Sequence, residues 1–343
     1  MEESESGFAR IVAHPEVGHK CLASSSVELG LIVNHRFDTL ILDGSPVWTR
    51  LELAELSCRK LVIVSTARQE GIKTLYHYQG CSLEYLKDTL IRNRVRCSNP
   101  EDLNDPWDCR PYFDDRDLAD SLRREAWAKS FNSYIDLQVP ADKQAEARAA
   151  IASWRRNDKP VELMVKKLTL ATWTWIVESH MIYCLTPHPD SLLMWAHYGD
   201  KHKGMCLEFD AKFHFGRAYQ VNYADKLPVI GPDGAMDGKA LIGPFFCTKS
   251  SEWHYEDEYR LVLTMIDDGG GKPASLSLQG NYLILPPKVL TAIIAGYEAD
   301  VGAIRAMVQE HAPGIAVKRA VRRLNEYHLD IVDDSAARYT NGD

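Results

Sequence analysis

The chain contains 343 residues, of which 45% are hydrophobic and 26% are charged, and its formal net charge is -8. These proportions are ordinary for a globular protein, and the negative charge argues against a protein that binds nucleic acid by neutralising many phosphates. Eight cysteines without a C-x-x-C pair argue against a structural zinc site or a disulfide framework, and they are typical of a reducing compartment.

Residues 1–70 differ from the rest of the chain and carry no recognisable chemistry. The first residues are acidic and do not resemble a signal peptide, and no run in the chain approaches the roughly 20 apolar residues of a membrane span. We therefore expect a cytoplasmic protein without membrane contact. Two β-like runs, Thr39–Leu42 and 61–64, flank a helix-like segment at 51–56, and the whole region is predicted to be an accessory segment of unknown role.

Residues 71–335 are predicted to form an α+β domain that contains a helical insertion at about 115–178. Most of the domain alternates short β-like runs with short amphipathic helices. The insertion is instead polar, rich in alanine and charge, and interrupted by Pro140 and Pro160. It is expected to contribute two or three helices beside the core.

The first polar signals of this domain lie in a strand and in the turn that follows the next strand. His77 follows Tyr76 in a short aromatic strand. The later turn, at 99–108, is rich in Asn and Pro, which fix the backbone through side-chain hydrogen bonds and a restricted φ. It presents the amide of Asn104 and the carboxylate of Asp105 at a strand end.

A short predicted helix carries the next polar groups. It contains Trp195, His197 and Tyr198, and it ends at Gly199. His197 and His202 are five residues apart, which is not the spacing of the H-E-x-x-H zinc helix. No metal site is predicted, and histidines hydrogen-bonded inside the fold are the expected alternative.

The stretch 249–260 has the clearest alternating pattern in the chain. Read as a strand, it places His254, Glu256, Glu258 and Arg260 on one face and aromatic and aliphatic side chains on the other. Two carboxylates between a histidine and an arginine are costly neighbours unless they are solvated, paired or used. Two interpretations stay open from this pattern alone: an edge strand with ordinary salt bridges, and a functional site.

After a predicted hairpin turn at 267–271, the chain ends with a strand, helix and strand. Gly296 follows the first of these strands, and the helix covers about 301–309. No glycine-rich phosphate-binding motif accompanies that glycine, so a phosphate cradle is not predicted.

Four motifs in this order resemble a known family. They are L-Y-H-Y; S-N-P followed by L-N-D-P-W-D; S-L-L-M-W-A-H-Y-G-D-x-H-x-G-M-C-L-E-F-D; and K-x-x-x-W-x-Y-E-x-E-Y-R. Over roughly residues 74–330 they resemble the bacterial family catalogued as domain of unknown function 2971. More distantly, the order is similar to the ADP-ribosyltransferase fold, whose cleft between two small sheets binds NAD. The expected fold class is α+β, with an ADP-ribosyltransferase-like split β-sheet core and a helical insertion.

The resemblance implies NAD as a substrate and specific roles for the motif residues. Glu258 and Glu256 would be catalytic, because a carboxylate near the ribose stabilises an oxocarbenium-like state. His77 would hold the nicotinamide side of NAD, and Tyr198 would stack on the nicotinamide. Arg260 could pair with the diphosphate or neutralise one glutamate. The other expected NAD contacts are Tyr76, Asn104, Asp105, Trp195 and His197.

The implied function is ADP-ribosyl transfer to a protein or nucleic acid acceptor, or hydrolysis of NAD, in a toxin or anti-phage defence effector. Two alternatives stay open. One is a hydrolase or nuclease, with or without a metal, that uses His197 and His202 with carboxylates from among Asp105, Asp108, Glu256 and Glu258. The other is a non-catalytic ligand-binding or sensor module in which the motifs are structural.

Overall fold

The chain folds into a mixed α+β structure. The computed structural model describes residues 31–34, 39–42, 45–46, 64–110, 112–154, 156–232, 238–265 and 276–334. Two compact units divide the chain. The first comprises 1–62, 110–175 and 228–244, and the second comprises 63–109, 176–227 and 245–343. None of the described helices is both long and apolar enough to cross a membrane.

The strands of the described residues are, in chain order, β1 Leu31–Asn34, β2 Thr39–Leu42, β3 Ser45–Pro46, β4 Thr74–Gln79, β5 Arg94–Arg96, β6 His180–Leu185, β7 Met205–Asp210, β8 Tyr219–Gln220, β9 Asn222–Ala224, β10 Thr248–Ser250, β11 Tyr259–Thr264, β12 Ser277–Gln279, β13 Tyr282–Ile284, β14 Leu290–Ala295, β15 Ala316–Arg322 and β16 Leu329–Asp333. The α-helices are α1 Leu83–Arg92, α2 Ser121–Gln138, α3 Ala141–Trp154, α4 Asp158–Ser179, α5 Leu192–His197, α6 Gly238–Phe246 and α7 Val301–His311.

The first unit contains an antiparallel sheet of β1, β2 and β3 and most of the helical insertion. The predicted strand at Thr39–Leu42 is β2, and the residues of the predicted helical insertion form α2, α3 and α4. Residues 228–232 fold with the insertion: Ser130 Oγ donates to the Pro232 carbonyl at 2.8 Å. The predicted helix at 51–56, the first three residues of the predicted strand at 61–64 and the predicted turn at 267–271 lie outside the described residues.

The second unit is built on a five-stranded sheet in the order β16-β15-β14-β7-β4. β14 and β15 are parallel and are joined by α7, which confirms the predicted C-terminal strand, helix and strand. The other neighbours in this sheet are antiparallel. Its central strands are buried: from Met205 to Phe209, β7 is closed to solvent, as expected for a strand covered on both faces.

A three-stranded antiparallel sheet, β6-β11-β8, meets the edge of the five-stranded sheet. The two sheets touch where Tyr76 of β4 and Thr186, just after β6, exchange backbone hydrogen bonds of 2.8 and 2.9 Å. β4 therefore belongs to one sheet and borders the other. This contact brings the L-Y-H-Y motif next to the strands of the second sheet.

Helix α5 is short because strong local signals end it on both sides. Ser191 Oγ accepts the Met194 N–H at 3.4 Å and caps the start. At the end, a Cβ on Gly199 would lie 2.6 Å from Cε3 of Trp195, so only glycine fits there. The predicted helix is confirmed, and Tyr198 is its C-terminal capping residue.

The stretch 249–260 is not the continuous strand that its alternation predicts. β10 ends at Ser250, whose Oγ accepts the Glu252 N–H at 3.4 Å and caps a 3-10 helix over Ser251–Glu256. Asp257 then adopts a left-handed φ of 42°, and β11 begins only at Tyr259. The capping serine and this reversal override the period-two pattern. Tyr259, Leu261 and Leu263, from the aromatic and aliphatic face of the pattern, are buried, and so are Glu256, Glu258 and Arg260 from its polar face.

Candidate functional site

A cluster of five charged side chains is buried in the second unit. Each member is at most 6% exposed, although side chains of this kind are seldom so deeply buried. The turn after β5 contributes Asp108, β10 contributes Lys249, and β11 contributes Arg260. Glu256 ends the 3-10 helix, and Glu258 lies just before β11.

Arg260 lies at the centre of the part that we call the inner ion cluster, which consists of Arg260, Glu258 and Asp108. Its Nε and Nη2 donate to the two oxygens of Glu258 at 2.8 and 2.7 Å. Its Nη1 and Nη2 donate to the two oxygens of Asp108 at 2.8 and 2.6 Å. A further bond from Nη1 to the Phe246 carbonyl measures 3.0 Å. The guanidinium thus forms bidentate hydrogen bonds with each of two carboxylates.

Glu258 is held as a carboxylate by these contacts. Burial alone would raise its pKa, but Arg260 and Lys249 outweigh burial and lower the pKa of Glu258 to about 2. The Cys184 thiol also hydrogen-bonds to it. Because both of its oxygens accept hydrogen bonds from Arg260, Glu258 serves as the structural counter-ion of that arginine.

Glu256 has a different environment. Its Oε2 accepts from Lys249 Nζ at 2.5 Å, and its Oε1 accepts from the Tyr198 hydroxyl at 2.5 Å. Burial and the charge of Glu258 nevertheless raise the pKa of Glu256 above its usual range, against the opposing effects of Lys249 and Tyr198. Lys249 is shared, because its Nζ also lies 3.5 Å from Glu258.

The charge count explains this difference. Asp108, Glu256 and Glu258 are three carboxylates, whereas Lys249 and Arg260 are two cations. Buried charges that are not balanced are expensive, and a carboxylic acid avoids the cost by keeping its proton. Arg260 hydrogen-bonds to both Asp108 and Glu258, and Lys249 is shared between Glu256 and Glu258, so Glu256 is the carboxyl group with the least compensation.

A hydrogen-bonded path connects Glu256 with the exposed turn after β5. Asn104, whose side chain is exposed, donates from Nδ2 to the Tyr198 hydroxyl at 2.9 Å. Tyr198 is half-buried and donates in turn to Glu256. We call Asn104, Tyr198, Glu256 and Lys249 the outer chain. It gives the buried charge cluster a polar route towards solvent.

Aromatic groups surround the outer chain. His197 is exposed, and its Nδ1 lies 2.8 Å from the hydroxyl of Tyr255, the residue before Glu256. Tyr76, Tyr198 and Tyr255 all pack against the same apolar cluster, which contains Trp195. Of the predicted contact residues, Tyr198 contacts Glu256 directly, His197 contacts the adjacent Tyr255, and Tyr76 shares only the apolar cluster. Tyr255 was missed by sequence reasoning.

His77 lies on the inner side of this arrangement. Its Nδ1 is 2.8 Å from the Cys184 carbonyl, and its ring stacks on Tyr183 with centroids 4.3 Å apart. Burial lowers the pKa of His77, so its ring is neutral. Since the Cys184 thiol hydrogen-bonds to Glu258, one residue of β6 links His77 to the inner ion cluster.

Two predicted contact residues and His254 have structural positions. Trp195 is fully buried, and its Nε1 donates to the Pro189 carbonyl at 2.9 Å. Asp105 is buried and accepts the Trp107 N–H at 2.9 Å, which fixes the turn. His254 is exposed, with Nδ1 3.1 Å from the Ser251 carbonyl, and does not join the glutamates, because the 3-10 helix turns it away from them.

Lys249 was not predicted as a site residue, and Asp108 was named only as a candidate carboxylate of the alternative hydrolase or nuclease. Both stand inside the motifs, as the first residue of K-x-x-x-W and the last of N-D-P-W-D. The signal that could have found Lys249 was charge balance, because two glutamates beside one arginine favour a second cation nearby. No comparable signal pointed to Asp108. Among the described residues, no group of three or more His, Cys, Asp or Glu side chains could hold a metal ion.

The fold and the site define an α+β protein with a buried mixed-charge cluster and a polar path that leads out of it. No protein-family model matches the chain, and no curated protein or solved structure matches it. The resemblance carried by the four motifs stays a prediction.

Proposed function

We propose that the chain is an NAD-using enzyme with an ADP-ribosyltransferase-like fold, which releases nicotinamide and passes ADP-ribose to water or to a macromolecular acceptor. The observation that carries this function is the outer chain, where a carboxyl group of raised pKa ends a hydrogen-bonded path from the surface. Buried carboxyl groups with shifted pKa values, close to aromatic side chains, are typical of sites that cleave glycosidic bonds.

The arrangement of the sheets supports the same function. A split core needs two small sheets that meet along one strand, and β4 borders β6 through the Tyr76–Thr186 backbone pair. His77 comes from one sheet, and Glu258 precedes a strand of the other. Cys184 contacts both residues, through its carbonyl to His77 and through its thiol to Glu258, which supports a shared location for them.

The reactive carboxylate in this proposal is Glu256 and not Glu258. Both oxygens of Glu258 are occupied by Arg260, whereas Oε1 of Glu256 is held by the Tyr198 hydroxyl, a group that can turn towards a ligand. The bond between ribose C1′ and the nicotinamide nitrogen breaks, and its electron pair leaves with nicotinamide. The ionised Glu256 stabilises the resulting oxocarbenium-like ribose. The acceptor then bonds to C1′, and its proton passes to Glu256.

The biological setting follows the motif resemblance. We propose that the chain is related to the bacterial family catalogued as domain of unknown function 2971, and that it is a cytoplasmic toxin or anti-phage defence effector. The ADP-ribose is transferred to a protein or a nucleic acid, or to water when the reaction is hydrolysis of NAD.

The test is release of nicotinamide from NAD by the full chain, with and without cell extract as a source of acceptors. Glu256→Gln should lower the rate by about 100-fold or more, since a group that stabilises transition-state charge typically contributes that much. Glu252→Gln is the matched control, because Glu252 lies on the same 3-10 helix but is exposed. A wild-type protein that releases no nicotinamide, or a Glu256→Gln protein as active as wild type, would sink the proposal.

A second candidate is a non-catalytic ligand-binding or sensor module. The observation that favours it is the complete pairing of Arg260 and Glu258, which are buried and make the contacts of a structural ion pair. Binding of NAD without any release of nicotinamide would identify this function.

A further inference from the structure

The turn Leu103–Cys109 presents one aromatic side chain to solvent from a firmly held backbone. Trp107 is 63% exposed, whereas Trp127 and Trp195 are fully buried. Tryptophan is large and apolar, and soluble proteins usually bury most of its surface. An exposed indole indicates a binding role only if its backbone is held in place, so the contacts that fix this turn are the relevant evidence.

Contacts on both sides of Trp107 hold the turn. Asp105 is 6% exposed, its Oδ1 accepts the Trp107 N–H at 2.9 Å, and its carbonyl accepts the Asp108 N–H at 3.0 Å. Pro106 restricts φ between them. Asp108 is gripped by Arg260 through two hydrogen bonds of 2.8 and 2.6 Å. The backbone of Trp107 is thus fixed by the inner ion cluster.

The same turn supplies the outer end of the outer chain. Asn104 donates to the Tyr198 hydroxyl, and Tyr198 donates to Glu256. Trp107 is three positions after Asn104, so their Cα atoms are no more than about 11 Å apart. A ligand that reaches Tyr198 past Asn104 therefore passes the same short turn that carries the exposed Trp107.

We propose that Trp107 is a ligand-binding residue of this site, a fixed platform on which a planar ring of the nucleotide stacks. A ring held by stacking needs a flat apolar face that stays in place, and the anchored turn provides one. The inference depends on the proposed function only for the choice of NAD as the ligand. Stacking of a base on an aromatic side chain corresponds to about 5- to 150-fold in affinity.

The experiment is calorimetric titration of the full chain carrying Glu256→Gln, which prevents turnover, with NAD, AMP and nicotinamide mononucleotide. Adding Trp107→Ala should weaken NAD by about 10-fold or more, and Trp107→Phe should restore most of the affinity because phenylalanine keeps a stacking face. The mononucleotide that weakens in parallel identifies the stacked ring. Leu324→Ala is the control for loss of an exposed apolar side chain, since Leu324 is 86% exposed.

Equal affinity of NAD for the Trp107→Ala and parent proteins would overturn the inference, and so would failure of all three nucleotides to bind. The result is separable from the proposed function. If Trp107→Ala loses NAD binding but the wild type releases no nicotinamide, the proposed enzymatic function is wrong and the stacking role of Trp107 is supported. If the wild type releases nicotinamide but Trp107→Ala binds NAD as tightly as its parent, the enzymatic function is supported and the stacking role of Trp107 is wrong.

Discussion

Glu256 and Glu258 are two residues apart and equally buried, yet they occupy opposite electrostatic situations. Glu258 shares the inner ion cluster with Arg260, which donates to both of its oxygens. Glu256 belongs to the outer chain, where it depends on one shared lysine and one neutral hydroxyl. As a result, the pKa of Glu258 is lowered to about 2, while burial raises the pKa of Glu256.

The comparison teaches that pairing, and not burial, separates structural from reactive carboxylates in this protein. A buried carboxylate that is hydrogen-bonded to a guanidinium cannot take up a proton or change partners without leaving a buried charge unpaired. A carboxyl group with incomplete compensation can do both, and here it is also linked to the surface through Tyr198 and Asn104. Perturbed groups of the second kind are the usual candidates for chemistry.

Removing the cation of the inner ion cluster should have the largest effect. Arg260→Met leaves Asp108 and Glu258 buried without their partner, and we expect a loss of about 3–5 kcal/mol in the free energy of unfolding. Urea denaturation measures it. Arg323→Met is the control, because Arg323 pairs with Asp330 on an exposed hairpin and should matter far less. Equal losses in the two variants would contradict a structural role for the inner ion cluster.

The inner carboxylate should also dominate the acid limb of stability. The folded-state pKa of Glu258, about 2, lies below its ordinary value of 4.5, so its contribution is present above pH 4.5 and is lost as the pH falls towards 2. Wild type should lose on the order of 3 kcal/mol more than Glu258→Gln across this window. Urea unfolding at several pH values checks this, with Glu252→Gln as the exposed control. If Glu258→Gln loses as much stability at low pH as wild type does, the Arg260–Glu258 pair stabilises the fold less than its hydrogen-bond geometry suggests.

The outer chain should respond more weakly to loss of its hydroxyl. Tyr198→Phe removes the donor to Glu256 and the acceptor of Asn104, at a cost of about 1 kcal/mol in the free energy of unfolding. The hydrogen bond from Tyr198 lowers the pKa of Glu256, so its loss raises that pKa further.

Two pH profiles test this shift. A raised folded-state pKa contributes stability at low pH that disappears as the pH rises through it, so Tyr198→Phe should be most destabilised at high pH. If the ionised Glu256 is the reactive form, the rising limb of nicotinamide release also moves to higher pH. Tyr85→Phe, on the exposed face of α1, should change neither profile. An unmoved limb in Tyr198→Phe would separate Tyr198 from the chemistry.

Local signals in the sequence predicted several of the elements correctly. The glycine after α5 is a short-range signal, because it acts within one turn of the helix that it ends. The alternation of β11 from Tyr259 onward, and the C-terminal strand, helix and strand, were visible for the same reason. The 3-10 helix was missed because alternation of residue types cannot reveal that Ser250 caps a turn.

The sequence by itself determined which residue types would meet: an amide from N-D-P-W-D, a tyrosine from W-A-H-Y and a carboxyl from E-x-E. Only the tertiary structure decided which glutamate is paired. Asp108 and Arg260 are 152 positions apart, and their contact commits the guanidinium to Glu258. Electrostatic compensation in a buried site depends on which charges come within a few ångströms, and the chain order of those charges does not specify that distance.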